Sequence, residues 1–197
     1  MRIRVVVLAL LTVAVGACAA PRAGGGQPAA TAPATTVATQ AAGSSKSQAK
    51  FPPPGMVAPA RRRPAPALRV TAFDGQTVSL DRFQGRPAVV NFFESWCSIC
   101  AVEQPDLSRA GAEFAGRVGF VGVSFHDTVA AGRAYQRRFN VPYPLANDPS
   151  GRSWARWRVP YQPVTVLVDN HGRIAERFDG GTTGGTLTAA LTYLLGE

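Results

Sequence analysis

Apolar positions along this chain fall into three regimes. Residues 5–17 are an apolar run broken only by Thr12, and residues 18–66 hold few large apolar side chains. From residue 67 the apolar positions recur with the periods of secondary structure. Residues 68–73 and 77–80 read as two strands of a hairpin around Asp74-Gly75. Residues 88–93, Ala-Val-Val-Asn-Phe-Phe, suit a strand buried on both faces. A helix is predicted from Cys97 to about Ala115, because Ile99, Val102, Leu107, Ala110 and Phe114 stand close to helical spacing. Residues 118–125 read as a second buried strand. Residues 128–139 read as a helix with Arg133, Arg137 and Arg138 on its wet face. A short helical segment is expected at 153–158, where Trp154 and Trp157 suit core packing better than an exposed aromatic face. A strand at 163–169, a turn at Asn170-His171-Gly172, an antiparallel strand at 173–178 and a helix at 186–195 complete the pattern. The order is a hairpin followed by β-α-β-α-β-β-α. It predicts an α/β domain with a central mixed sheet flanked by helices.

Composition narrows this. The chain has 197 residues, 46% of them hydrophobic, and three cysteines. One domain with an appendage fits that length. A wholly disordered chain and a disulfide-stapled scaffold are both excluded. The odd cysteine count leaves at least one without an intramolecular partner. The formal charge of +9 suggests an anionic partner until it is located along the chain. All nine of the excess basic residues lie before Asp74, the first acid, and the remainder of the chain is balanced. The folded domain is therefore neutral, which disfavours a nucleic-acid partner.

The N-terminal regimes read as targeting and tether. Arg2 and Arg4 precede an apolar run too short to span a bilayer, which needs roughly 20 residues. An ordinary secretory signal cut after Ala19 or Ala20 is one reading, and an uncleaved anchor is another. Val15-Gly16-Ala17-Cys18 resembles the bacterial lipobox. That resemblance implies a signal peptide at 1–17, a diacylglyceryl thioether on Cys18 and attachment to the extracytoplasmic face of a membrane. Residues 18–66 are expected to be a flexible linker, since their composition cannot bury enough surface to offset ordering. Within it, Arg61-Arg62-Arg63 reads as a solvated cluster, or as a contact for anionic lipid or cell-wall polymer. The domain is expected at 67–197.

The candidate chemistry lies at Trp96-Cys97-Ser98-Ile99-Cys100, where a buried strand meets a helix. A helix N-terminus presents unpaired N–H groups and a positive dipole end, and both stabilise a thiolate. Cys97, the first of the pair, is expected to be the exposed nucleophile, with a pKa depressed into the range of roughly 3.5–7.5. Cys100 follows one turn later on the same face, placed to resolve a mixed disulfide. A zinc half-site needs about four ligands. Only His126, His171 and the remote Cys18 remain, so no metal is expected. A structural disulfide would explain neither Trp96 nor the strand-to-helix placement. His126 reads as an exposed loop residue, or as a base at the edge of the site.

Residues 90–97, Val-Asn-Phe-Phe-Glu-Ser-Trp-Cys, resemble the active-site strand of TlpA/ResA/DsbE-type thioredoxin-like proteins. Glu103, Pro105 and Leu107 match that family's E-x-P-x-L continuation. Residues 158–163, Arg-Val-Pro-Tyr-Gln-Pro, are similar to the segment before its cis-proline strand, particularly in secreted DsbE-type proteins of high-GC Gram-positive bacteria. The resemblance covers about residues 67–197. It implies a thioredoxin fold with an N-terminal β-hairpin addition and an inserted segment. It also implies that Pro163 is the cis-proline facing the cysteine pair, with Pro160 as the competing candidate. Gln162 would offer its backbone to an extended substrate, and Trp96 would shield the pair and dock substrates unless it is ordinary strand-end packing.

Three departures from the family matter. Asn91 stands where cytoplasmic thioredoxins have a buried acid, and Asn cannot accept the resolving thiol's proton. Glu94 replaces a small residue and is expected either to act on Cys97 or to be solvated. Ile99 replaces a common proline and returns an N–H near the Cys97 sulfur.

The function implied is an extracytoplasmic thiol-disulfide oxidoreductase. It would need no cofactor and would act on exported protein thiols or disulfides with a membrane redox partner. The alternative is a reductant for apocytochrome c thiols. A peroxidase of the same fold would require Thr at position 94 and a more distant second cysteine. A copper-binding protein of the related Sco type would require Cys-x-x-x-Cys.

Overall fold

Residues 88–92 are apolar on both faces because the strand they form lies deep inside the sheet. The structure is a computed structural model and describes residues 52–197. The apolar run at 5–17, Cys18 and most of the expected linker lie outside the described residues. The strands are β1 (Arg69–Ala72), β2 (Thr77–Ser79), β3 (Ala88–Phe92), β4 (Gly119–Ser124), β5 (Leu145–Asn147), β6 (Val164–Val168) and β7 (Ile174–Asp179). The helices are α1 (Ser98–Glu113), α2 (Val129–Arg138), α3 (Arg152–Arg156) and α4 (Gly184–Leu194). One mixed sheet has the order β2-β1-β5-β4-β3-β6-β7. β3, β4 and β5 are parallel, and the remaining pairings are antiparallel.

Alternate residues of β3 feed two cores, as the pleat requires. Val89 joins Leu107, Leu167, Leu187 and Leu191 on the face covered by α1 and α4. Val90 and Phe92 join Val121, Val166, Trp154 and Trp157 on the other face. Both tryptophans pack on the Phe92 ring, with centroids 5.8 and 5.6 Å away. The expected helices are present, with their ends shifted by one or two residues and set by caps. Thr128 accepts the N–H of Ala131, and Thr183 accepts that of Thr186.

β5 is an element the pattern did not predict. Three residues carry no readable period, and the strand exists because its neighbours supply partners. Gly122 N–H donates to Pro144 O, and Phe73 N–H to Leu145 O. β5 thereby joins the N-terminal hairpin to the main sheet.

The boundary expected at residue 66 does not mark the edge of the packed chain. Residues 52–66 form a strap along β7, the last strand of the sheet. Val57 N–H donates to Ala175 O, Ile174 N–H to Arg63 O and Ala65 N–H to Gly172 O. The strap thus covers an edge that would otherwise offer free backbone groups. Arg62 is correspondingly not a solvated arginine. Its buried guanidinium pairs with Asp169 at 3.2 Å and with both carboxylate oxygens of Glu197. Its neighbours Arg61 and Arg63 are exposed.

Beneath the strap, Glu176 is buried, and its Oε2 has no hydrogen-bond partner. Gly55, at φ +94°, passes so close that a Cβ there would lie 2.8 Å from Glu176 Oε1. Burial pushes the Glu176 carboxyl up to about 7. A raised carboxyl pKa means the fold holds its proton while the unfolded chain has already lost it. Stability is therefore fullest below the ordinary carboxyl value and falls as pH rises to about 7. Denaturant titrations should show a loss of about 2–3 kcal/mol across that window. The loss should be largely absent in Glu176→Gln.

Candidate active site

The site is built where β3 ends and α1 begins. Cys97 is the N-cap of α1, and its Sγ accepts the N–H of Cys100 at 3.1 Å. Cys97 and Cys100 form a disulfide, with Cα atoms 5.3 Å apart. Cys97 is 8% exposed and Cys100 only 1%. Both cysteines are therefore buried in the disulfide form, against the exposed Cys97 expected from the sequence, and Cys97 is the less deeply buried of the two. In the disulfide form the N–H that hydrogen-bonds Cys97 Sγ is that of Cys100. Ile99 stands exposed beside the pair, with Trp96 (64% exposed) and Val102 (80%). Trp96 is therefore not strand-end packing. Ile99 and Val102 line one cleft and Trp96 directly precedes Cys97, an exposed apolar set of a kind that suits contact with a polypeptide.

The loop before Cys97 is clamped from both sides. Glu94 is fully buried and accepts the N–H groups of Phe125 and His126, each at 2.9 Å, and the Ser124 hydroxyl at 3.2 Å. In return Asp127 accepts Ser95 N–H at 2.9 Å and the Ser95 hydroxyl at 2.6 Å. None of the Glu94 carboxylate's hydrogen bonds goes to the cysteine pair; only its backbone carbonyl reaches it, accepting Cys97 N–H at 3.1 Å. Glu94 is neither solvated nor directed at Cys97; it ties the loop after β3 to the loop after β4. His126 is exposed at that second loop, with Nδ1 3.4 Å from Glu94 Oε1.

The Gln162–Pro163 bond is cis, and Pro163 is buried at the start of β6. Gly181 reveals how close the neighbouring segments lie. At φ +107°, a Cβ on it would meet Glu103 Oε2 at 3.3 Å, Ile99 Cγ2 at 3.7 Å and Pro163 Cγ at 3.8 Å. Residues from α1, the loop before β6 and the loop after β7 thus converge at one point. A cleft of about 450 Å³ opens beside it, lined by Ile99, Val102, Glu103, Phe178 and Thr182 among others.

Glu103 is the residue whose role the motif match left unread. It is buried one turn after Cys100 on α1, accepting Asn91 Nδ2 at 3.0 Å and Thr182 N–H at 3.0 Å. Asn91 also donates to Thr165 Oγ1 at 2.9 Å. Burial pushes the Glu103 carboxyl up, partly offset by the bonds from Thr182 and Asn91. A buried acid thus stands on α1 one turn after Cys100, with Asn91 as one of its hydrogen-bond donors. The available signal was spacing, since an acid three residues after Cys100 shares its helical face. A second missed residue is Tyr135, whose hydroxyl donates to Cys100 O at 3.0 Å and anchors the first turn of α1. Among the described residues there is no cluster of three or more His, Cys, Asp or Glu side chains that could hold a metal ion.

A model of the AhpC/TSA family matches residues 62–177, beginning at the strap arginine. The soluble secreted antigen MPT53 of Mycobacterium tuberculosis is 36% identical over 108 residues, 55% of this chain and 59% of the antigen's own length. The thiol:disulfide interchange protein HelX of Rhodobacter capsulatus is 32% identical over 134 residues, 66% of this chain and 74% of HelX. Among solved structures, a secreted Mycobacterium tuberculosis disulfide oxidoreductase homologous to E. coli DsbE superposes with a TM-score of 0.59. It is 28% identical and covers 64% of this chain and 96% of its own.

Proposed function

This chain belongs to the AhpC/TSA family, and from that premise we propose that it is an extracytoplasmic thiol-disulfide oxidoreductase acting on exported proteins through Cys97 and Cys100. The observation that carries this reading is the cysteine pair itself. It caps a helix, with Cys97 at the helix terminus and less deeply buried than Cys100. In the reducing direction, the Cys97 thiolate attacks a client disulfide and releases one client thiolate, which takes up a proton. Cys100, losing its proton, then attacks Cys97 Sγ, closing the Cys97–Cys100 disulfide and releasing the second client thiolate. The oxidising direction reverses both steps and leaves the protein as the dithiol. Glu103 is the group suited to accept and return the Cys100 proton. Trp96, Ile99 and Val102 offer apolar contact, and the Gln162 backbone beside Pro163 offers hydrogen bonds to an extended client. A peroxidase reading is disfavoured because position 94 is a buried glutamate and the second cysteine is only three residues away.

The relatives' names support export, and the lipobox-like segment supports attachment at Cys18. A membrane redox partner would then reset the pair. Acid-quench alkylation in cells tests the reading and its direction together. A mostly disulfide pair marks an oxidant, and a mostly dithiol pair marks a reductant. A pair whose state does not change when purified protein meets a disulfide peptide or a dithiol overturns the reading. Lipid attachment is checked by fatty-acid labelling that disappears in Cys18→Ala.

Replacing Glu103 by Gln should slow resolution of the mixed disulfide on the order of 10²-fold. Because only the ionised carboxylate accepts a proton, the wild-type resolution rate should rise with pH as Glu103 ionises. That rise should lie above the ordinary carboxyl range, consistent with the upward shift at this site. Rapid-mixing decay of the mixed disulfide measures it, and the rise should vanish in Glu103→Gln.

A further inference from the structure

A second groove, of about 570 Å³, lies away from the sulfur atoms. Its walls come from the strap, the loop between α3 and β6, and β7. Four arginines line it: Arg63, Arg156, Arg158 and Arg177. Arg177 is occupied, since it pairs with Asp179 at 2.9 Å and donates to the carbonyls of Trp157 and Arg158. Arg63, Arg156 and Arg158 are exposed, and none of their guanidinium groups has an ion pair or hydrogen bond among the described residues. Three uncompensated charges in one concavity contrast with a domain that is neutral from residue 74 onward. Arg158 is held in place by Arg177 although its φ of +53° disfavours a residue with a Cβ.

Along the chain, two segments of the groove's lining adjoin segments of the active site. Tyr161, 54% exposed on the groove's rim, is two residues before the cis-proline Pro163. Arg177 and Asp179 on the other wall lead directly to Gly180 and Gly181. Gly180 N–H donates to Pro163 O, and Gly181 packs against Glu103 and Ile99. Both walls are thus continuous along the chain with the segments that converge on Gly181 beside Ile99 and Pro163. Pro64, Pro66 and Pro160 on its lining add apolar, donor-free surface. A narrow concavity of this kind fits an extended chain better than a flat layer of headgroups.

We propose that this groove docks an acidic stretch of the client polypeptide that flanks the cysteine exchanged at Cys97. The proposal rests on the oxidoreductase reading and deepens it, since it assigns a substrate class to the same reaction. Electrostatic attraction of this type acts chiefly on association rate and is screened by salt.

The test uses the reduced full chain and disulfide peptides identical except for short tails of Glu, Ser or Lys, placed on either side of the disulfide. Second-order exchange rates should be about tenfold higher for Glu than for Ser tails at low ionic strength, and the gain should be lost near about 0.5 M salt. The triple variant Arg63→Glu, Arg156→Glu, Arg158→Glu should invert the preference towards Lys tails, an outcome that only a folded protein can give. The corresponding triple Lys variant should keep the preference for Glu. Equal rates for Glu and Lys tails, or a preference untouched by charge reversal, overturn the docking proposal while leaving the oxidoreductase reading intact. Groove-dependent binding to phosphatidylglycerol vesicles without any tail preference overturns it in favour of a membrane contact. No exchange with any tail overturns both readings.

Discussion

Cys97→Ser loses disulfide exchange by at least about a thousandfold, whereas Cys100→Ser attacks once and stalls as a mixed disulfide with its client. The asymmetry follows from placement. A client sulfur can approach Cys97, which caps α1 and is the more exposed of the two. Cys100 is buried in the core, so its practical reach is to Cys97. A hydroxyl at position 97 is scarcely ionised near neutral pH, and the helix terminus cannot compensate for that difference in acidity. Non-reducing gel electrophoresis of each variant after mixing with a disulfide peptide reads the result. The two stalled or silent species must separate in that order. A trapped adduct on Cys97→Ser instead would reverse the assignment of nucleophile and resolving residue.

Arg62→Ala should destabilise the domain by about 3 kcal/mol, a large effect for a residue in a stretch whose composition reads as linker. Its guanidinium has no exposed surface and joins the strap to Asp169 in the turn before β7 and to Glu197 at the chain end. Burial alone would push the Asp169 carboxyl up. The N–H of Arg173, the Arg62 guanidinium and the N–H of His171 outweigh it and hold Asp169 below its ordinary range. Removing Arg62 takes one of those supports away, together with the ion pair to Glu197 and the side-chain tie to Val57 O in the strap. Arg61→Ala, an exposed neighbour, should change stability by less than about 0.5 kcal/mol. Urea unfolding of the two variants at neutral pH separates these cases. Similar midpoints would return residues 52–66 to the linker.

The strap and Glu103 escaped the linear pattern for the same reason. Linear patterns register neighbours, and these residues owe their roles to partners far along the chain. Arg62 meets Asp169 across 107 positions, and Glu103 meets Thr182 across 79. Arg61, Arg62 and Arg63 are indistinguishable in sequence, yet only the middle one faces inward. Glu94 presents the same difficulty. Its position before Cys97 is visible, but its carboxylate belongs to a loop some thirty residues later, reached only because β3 and β4 lie side by side.

What the sequence determined by itself is local. The spacing of Cys97 and Cys100, their position after a largely apolar buried strand, and the order of helices and strands with the exception of β5 follow from periods of two and 3.6 and from a one-turn separation. These need no knowledge of what lies across the fold. Tertiary structure alone decided which charged side chains are buried and by whom they are satisfied. Burial of a charge is settled by contacts between distant segments, because a carboxylate or guanidinium leaves water only where partners converge on it. That convergence turned Glu103 into a buried acid beside the resolving cysteine, Glu94 into a clasp between loops, and a basic tail segment into the strap that closes the sheet.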